Sequence, residues 1–411
     1  MSDQLTAVIA GGGIGGLATA TALARAGLAV TVVERTERLA GAGAGLVLYP
    51  NGVAAAEAVS PGLGDRLRES GHIVGPGEVR LLLDPSGRVL SREPIGDDNE
   101  RFGRPQIPIL RSHLQTALVQ EATAAGARLI LGTGVQAYRD AVGRVSVRLS
   151  DGGTLEVDLL VAADGINSAL RRQMLGDGPP LYRGYTSVRG RSSGSGLPQQ
   201  GFVVNGRGVQ LFVAPVGDDT LYWTAKITAA QGVWPAKGPA GARRALVESL
   251  TAWHEPVVRM IAGSDDIVVS DIHDRDPVRR WVDGRVVLLG DAAHPMVPAL
   301  GQGANTALED AAVLAHELLK HRVAAGGALT APLAAYERQR TERTAHVVLR
   351  SRRQGSLDQG AGRLRSLARD VSMRLRGRKD AAILDIAAWT PPEPPRGTPD
   401  AEPLRRHHHE R

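Results

Sequence analysis

The stretch LTAVIAGGGIGGLATATALARAGLAVTVVE, Leu5 to Glu34, decides the fold. Leu5 to Ala10 is an apolar run of strand length, Ile14 to Ala26 reads as a helix, and Ala29 to Glu34 is again apolar and rich in valine. Strand, helix and strand in this order predict a βαβ unit with buried parallel strands. Gly11 permits the tight turn out of the first strand, Gly13 lets the backbone approach a pyrophosphate, and Gly16 lets the helix pack closely on the sheet. Ile14 and Gly15 complete the helix start, where unpaired N–H groups and the positive end of the dipole favour an anion. Glu34, followed by Arg35, lies eighteen residues beyond Gly16 at the tip of the second strand, placed to accept hydrogen bonds from ribose hydroxyls. An acid there suits an unphosphorylated ribose, so the unit predicts dinucleotide binding without separating FAD from NAD.

Two later stretches sharpen this reading: LLVAADGINSALRR around Asp164, and GRVVLLGDAAHPMVPALGQGAN ending at Asn305. An aspartate closing a buried strand is costly unless its charge is hydrogen-bonded, so Asp291 invites a hydroxylated ligand. Asp164 ties its strand end to the following turn. Ordinary helix capping is the competing explanation for either aspartate alone. Gly301, Gln302, Gly303, Ala304 and Asn305 open a helix running to His321, with free N–H groups at its start.

Composition narrows the alternatives. With 411 residues, 43% of them hydrophobic, the chain can bury a large core and is expected to form two domains or one with an insertion. No cysteine is present, which excludes a disulfide, a redox-active cysteine pair and a thiolate metal site. The net charge of +6 comes from arginines spread along the chain, and only 3% of residues are aromatic, so nucleic-acid binding is not expected. No run approaches the ~20 apolar residues of a membrane span, and no cleavable signal is read at the start. A cytoplasmic location and a monomer or homodimer are the resulting expectations.

Along the chain, strands are read at Arg128 to Leu131, Val145 to Leu149, Leu155 to Ala162, Val209 to Val213, Thr220 to Ile227 and Arg285 to Leu289. Helices are read near Asn51 to Val59 and at Arg111 to Ala125, Ala240 to Ile261, Thr306 to His321 and Leu333 to Arg353. Gly71 to Phe102 reads as an inserted piece of sheet. This divides the chain into a discontinuous cofactor domain (1–72, 103–180 and 268–345), a substrate domain (73–102 and 181–267), C-terminal helices (346–390) and a disordered tail (391–411). His407 to His409 in that tail are read as part of a polar segment and not as a metal site.

Asp164-Gly165 with Ser168 and Arg171, then Gly290-Asp291 continued by His294-Pro295, Pro298 and Gly301-Gln302-Gly303, resemble in motif and order the single-component FAD-dependent aromatic hydroxylases, the para-hydroxybenzoate hydroxylase-like monooxygenases. The segment GAGAGLVLYPNG, Gly41 to Gly52, is similar to the shorter group of salicylate, hydroxynicotinate and urate hydroxylases. The resemblance implies an α/β fold: a Rossmann-type FAD-binding domain of the GR2 type, interrupted by a mixed β-sheet substrate domain and followed by C-terminal helices. It implies that Asp291 meets the flavin ribityl chain, that Arg111 lies near the phosphates and ribityl chain, that Val47 touches the ring by its backbone, and that Pro298 borders the oxygen-reacting face. Val135 joins the cofactor-binding set, and His294 is structural. It further implies that FAD, reduced by NADPH or NADH, reacts with O2 to give a C4a-hydroperoxide that transfers one oxygen atom to an aromatic or polycyclic small molecule.

For the substrate side, Tyr222, Arg207 and Gln210 are the candidates, with Trp223 beside them. Alternate strand residues face opposite sides, so Tyr222 and Trp223 cannot both enter one pocket. An epoxidase or Baeyer-Villiger oxygenase, a flavin reductase, and a non-catalytic FAD- or NAD-binding protein are the rival readings. A halogenase is disfavoured because no WxWxIP-like segment is present.

Overall fold

The computed structural model describes residues 4–39, 44–141, 143–194, 196–323, 327–359 and 381–393. Six strands form one sheet in the order Val282–Asp283, Val286–Leu288, Leu159–Ala162, Thr6–Ala10, Ala29–Glu34 and Arg128–Leu131. Every neighbouring pair is parallel except the antiparallel edge pair of Val282–Asp283 with Val286–Leu288. Ala7 through Ala10 and Leu159 through Ala162 are buried, as a sheet covered on both faces requires. The helix Ile14–Arg25 packs on the helices Gly303–Lys320 and Arg111–Ala124, so the loops leaving the central strands converge at one end of the sheet.

A second, seven-stranded sheet runs Asp265–Asp274, Leu181–Ser193, Thr220–Thr228, Val209–Pro215, Phe202–Asn205, Val79–Leu83 and Val89–Pro94. The piece of sheet expected in 71–102 supplies its last two strands, and it joins through a parallel pairing of Phe202–Asn205 with Val79–Leu83. One face is apolar: Val188, Leu211, Val213, Leu221, Trp223 and Ala225 pack under the helices Gly238–Ser249 and Glu255–Ala262. The other face is largely polar and looks toward the first sheet's loops. The strand Asp265–Asp274 straddles the boundary drawn at 267, and the helix Thr330–Asp358 runs unbroken through that drawn at 345. The tail expected to be disordered lies, from residue 394, outside the described residues.

Two elements differ from the sequence reading. Leu155 to Ala162 is not one strand but two, Thr154–Val157 and Leu159–Ala162, in different sheets. The chain changes sheet at Asp158, whose Oδ2 accepts from Thr6 N at 2.8 Å and Thr6 Oγ1 at 2.7 Å. Likewise Ala240 to Ile261 is two helices, because the second starts afresh with Pro256 in its first turn, after a chain turn at Leu250 to His254. The helix Pro61–Ser70 had no counterpart in the reading; its two glycines obscure an amphipathic face that buries Leu63 and Leu67.

Candidate active site

Gly11 leaves the first strand with φ +108, and a Cβ there would lie 2.4 Å from the Ala163 carbonyl oxygen. A Cβ on Gly16 would come 1.9 Å from the Gly11 carbonyl oxygen, so this helix reaches the turn only because residue 16 has no side chain. Gly13 is different: among the described residues nothing lies within 4 Å of its would-be Cβ, and it precedes the helix with no side-chain cap. Open space thus faces a helix start whose N–H groups are uncapped. Glu34 holds the turn, its Oε2 accepting from Gly12 N at 2.7 Å and its Oε1 from Thr36 N at 2.9 Å.

The other two motifs meet at the same end of the sheet. Asp164 Oδ2 accepts from Ala169 N at 2.9 Å, as a tie across the turn, while its Oδ1 is buried without a partner among the described residues. Burial raises the Asp164 pKa, against the lowering effect of those hydrogen bonds. Arg171, two turns of chain later, donates from NH1 to the carbonyls of Ala292 (3.0 Å) and Ala293 (2.7 Å), so the second motif grips the third. Asp291 is enclosed by protein yet open to the cavity, and its carboxylate makes no hydrogen bond to the protein among the described residues. Its pKa is raised by burial, with His294 and Arg111 pulling the other way.

Below this loop lies a buried charge network. His294 Nε2 pairs with Asp310 Oδ2 at 2.6 Å and its ring stacks on Trp281, which is the structural placement expected of it. Asp310 also accepts from Gly290 N at 3.0 Å and from Arg340 Nε at 2.7 Å. Arg340 reaches Glu309 at 2.8 Å, and Asn51 Nδ2 donates to Glu309 at 2.7 Å and to Gln302 at 2.9 Å. Burial acts to raise the Asp310 pKa, but His294 and Arg340 hold it down at about 2. Gly290, at φ +59, and hence Asp291, are positioned by these contacts.

A cavity of about 830 Å³ joins this loop cluster to the polar face of the seven-stranded sheet. Of the expected cofactor residues, Gly13, Ile14, Gly15, Gly16, Val47, Arg111, Asp291, Pro298, Gly301, Gly303 and Ala304 line it. Gly11, Glu34, Arg35, Val135, Asp164, Gln302 and Asn305 do not. Gln302 turns inward to Asn51, and Asn305 is a clamp: its Nδ2 donates to Val47 O (3.1 Å) and Gly301 O (2.9 Å), and its Oδ1 accepts from Tyr49 N (2.9 Å). That clamp ties the strand Gly45–Leu48 to the Gly301 loop. Val135 begins the strand Val135–Ala141 of a separate three-stranded sheet.

On the roof, Tyr222, Thr224 and Lys226 line the cavity while Trp223 faces the opposite core and donates to Ser264 Oγ at 2.8 Å. Strand alternation thus settles the Tyr222/Trp223 choice. Gln210 lines the cavity between Lys226 and Asn205, accepting from Lys226 Nζ and donating to Asn205 Oδ1, each at 3.0 Å. Arg207 is corrected out of the set: it sits exposed on the turn between Phe202–Asn205 and Val209–Pro215, away from the cavity. The sequence reading missed Tyr49, Arg80, Arg189 and Lys226, all of which line the cavity. A polar residue on a strand whose alternate positions are apolar was the available signal for Arg189 and Lys226.

A family model described as the FAD binding domain matches residues 4–351. The chain belongs to the FAD-dependent aromatic monooxygenases. It is 38% identical over 397 residues to an aurachin C monooxygenase/isomerase of Stigmatella aurantiaca, covering 95% of this chain and 100% of that one. It is 35% identical to a 3-amino-4-hydroxybenzoate 2-monooxygenase of Streptomyces cremeus, covering 84% and 85%. Among solved structures, HpxO of Klebsiella pneumoniae complexed with FAD and uric acid aligns with a TM-score of 0.83 at 29% identity, over 93% of this chain and 96% of that one. This monooxygenase is therefore an FAD enzyme, and its residues fit that cofactor. The open space at Gly13, the buried partnerless Asp164 Oδ1 and the unpaired Asp291 carboxylate are all features a dinucleotide would complete. Reading the chain as a non-catalytic binding protein falls with the same relatives.

Proposed function

We propose that this monooxygenase uses NADPH or NADH and O2 to insert one oxygen atom into an aromatic or polycyclic small molecule. The observation that carries this reading is the single cavity uniting Gly13, Asp291 and Pro298 with the polar sheet face bearing Tyr222, Gln210 and Lys226. FAD, when bound, supplies two-electron reduction and activation of O2 at its C4a position. The protein's own contribution is to hold and enclose. Asp291 and the helix start at Gly13 anchor the dinucleotide, and Arg111 adds positive charge beside Asp291. The helix Gly303–Lys320 presents its N-terminal N–H groups to the same space, where they favour negative charge. The sheet roof excludes water and orients the substrate.

In this reading segments 1–72, 103–180 and 268–345 serve the cofactor, and 73–102 and 181–267 serve the substrate. No described helix is long and apolar enough to cross a membrane; a cytoplasmic monomer or homodimer is part of the proposal. A relative named both monooxygenase and isomerase supports a second reading, natural-product tailoring in which oxygenation by hydroxylation, epoxidation or Baeyer-Villiger insertion is followed by rearrangement. The test is the visible spectrum of the purified protein, with NADPH and NADH oxidation followed across a panel of phenolic and polycyclic compounds. Flavin absorbance with substrate-stimulated, oxygen-dependent oxidation is the expected result. Flavin without oxygen dependence would point to a reductase instead.

A further inference from the structure

Among the described residues, the buried arginines Arg80, Arg171, Arg275 and Arg340 each have a carboxylate partner: Glu93, Asp177, Asp177 and the Glu309–Asp310 pair. Arg189 does not. It projects from the strand Leu181–Ser193 into the cavity, with Thr224 opposite on one side and Val268 on the other. One terminal nitrogen donates to Ser270 Oγ at 2.7 Å, and its Nε–H is buried without an acceptor. An enclosed cation without a counter-ion is costly, and a guanidinium with a free edge matches an anionic oxygen.

The groups facing Arg189 supply no such oxygen. Lys226 on the neighbouring strand is committed to Gln210 and, at 3.6 Å, to Asp358. Arg111, from the helix Arg111–Ala124, carries the same charge. Tyr222 is held protonated by burial, its pKa raised although Arg189 and Arg111 pull it down. Burial lowers the Arg189 pKa, with Tyr222 acting to raise it and Arg111 to lower it further.

We propose that Arg189 is the counter-ion of the substrate, pairing with an ionised oxygen conjugated to the aromatic ring, a phenolate or enolate, beside the Tyr222 hydroxyl. Binding sends the hydroxyl proton to solvent and breaks no other bond. An ionised hydroxyl enriches the ring for attack by an electrophilic oxygen, whereas a carboxylate withdraws electron density. For that reason the ring oxygen, and not a carboxylate, is assigned to Arg189. This inference rests on the reading of the cavity as a substrate site. It makes Arg189 a specificity-determining residue, with Tyr222 as its neighbouring donor.

The experiment uses the FAD-loaded protein, without reductant, and 4-nitrophenol as the probe, followed by the phenolate absorption in difference spectra across pH. In the wild type the bound phenol should ionise about one unit below its free pKa, a tenfold gain in the ionised form. Arg189→Met should lose that tenfold gain while keeping its FAD, and Arg189→Lys should keep part of it. Arg189→Gln, which can still bond Ser270, replaces the methionine variant if that does not fold. An unshifted pKa in the wild type, or the same shift in the uncharged variant, overturns the proposal. Loss of FAD from a folded variant also overturns it, by making the cofactor the partner of Arg189. Because the titration needs no turnover, absence of oxygen-dependent NAD(P)H oxidation would sink the proposed function without bearing on it.

Discussion

Asp310→Asn tests whether the buried network under Gly290 sets both stability and cofactor binding. The Asp310 carboxyl, ordinarily near 3.8, is held at about 2 in the fold. That depression corresponds to about 2 kcal/mol of stability. Its sign follows from the depressed folded value: the contribution is complete above the unfolded pKa and is lost as pH falls through the folded one. About 1 kcal/mol of it is gone by pH 3. Replacing the carboxylate also deprives Arg340 and His294 of an anion at 2.7 and 2.6 Å in a fully buried place. Breaking one partner of such a set costs about 3 kcal/mol or more. Urea unfolding of apo-protein at pH 7 should therefore show Asp310→Asn destabilised by about 3 kcal/mol. Between pH 5 and pH 3 the wild type should lose about 1 kcal/mol more than the variant. FAD affinity should fall as well, since Gly290 N loses its acceptor charge. A variant within 0.5 kcal/mol of wild type, roughly the range of neutral surface changes, or with an identical pH slope, would refute the argument.

Other outcomes follow from single residues. Gly13→Val should leave apo-protein stability nearly unchanged, because no atom of the described residues lies within 4 Å of the new Cβ, while FAD binding is abolished; calorimetry with and without FAD separates the two. Gly16→Ala should do the reverse, lowering thermal stability before any ligand is added, since its Cβ would meet the Gly11 carbonyl at 1.9 Å. Asp291→Ala should fold with apo-protein stability nearly unchanged, because the carboxylate faces the open cavity, yet purify with little flavin; full flavin occupancy would contradict its anchoring role. Tyr222→Phe should slow substrate oxidation with FAD content intact, and unchanged turnover would remove Tyr222 from the site.

The sequence by itself determined the nucleotide end of this protein. Glycines whose Cβ would collide with a carbonyl or block a phosphate, and apolar strands ended by carboxylates, are local requirements that leave a local trace. Short-range pairing also made the strand Ala29–Glu34 and the start of the helix at Ile14 readable to the residue. Where one strand-like run served two sheets, as at Asp158, the half-exposed Thr154–Val157 and the fully buried Leu159–Ala162 are contiguous in sequence, and the switch between them is set by a carboxylate bonded to Thr6, 152 residues away. Only the tertiary structure decided which face of each roof strand meets the cavity. It also removed Arg207 from the site, gave the side chains of Gln302 and Asn305 partners within the protein, and left Arg189 without a counter-ion among the described residues. Each of these outcomes depends on partners brought together by strand register and helix packing, and a charge is recognisably unpaired only when everything around it has been placed.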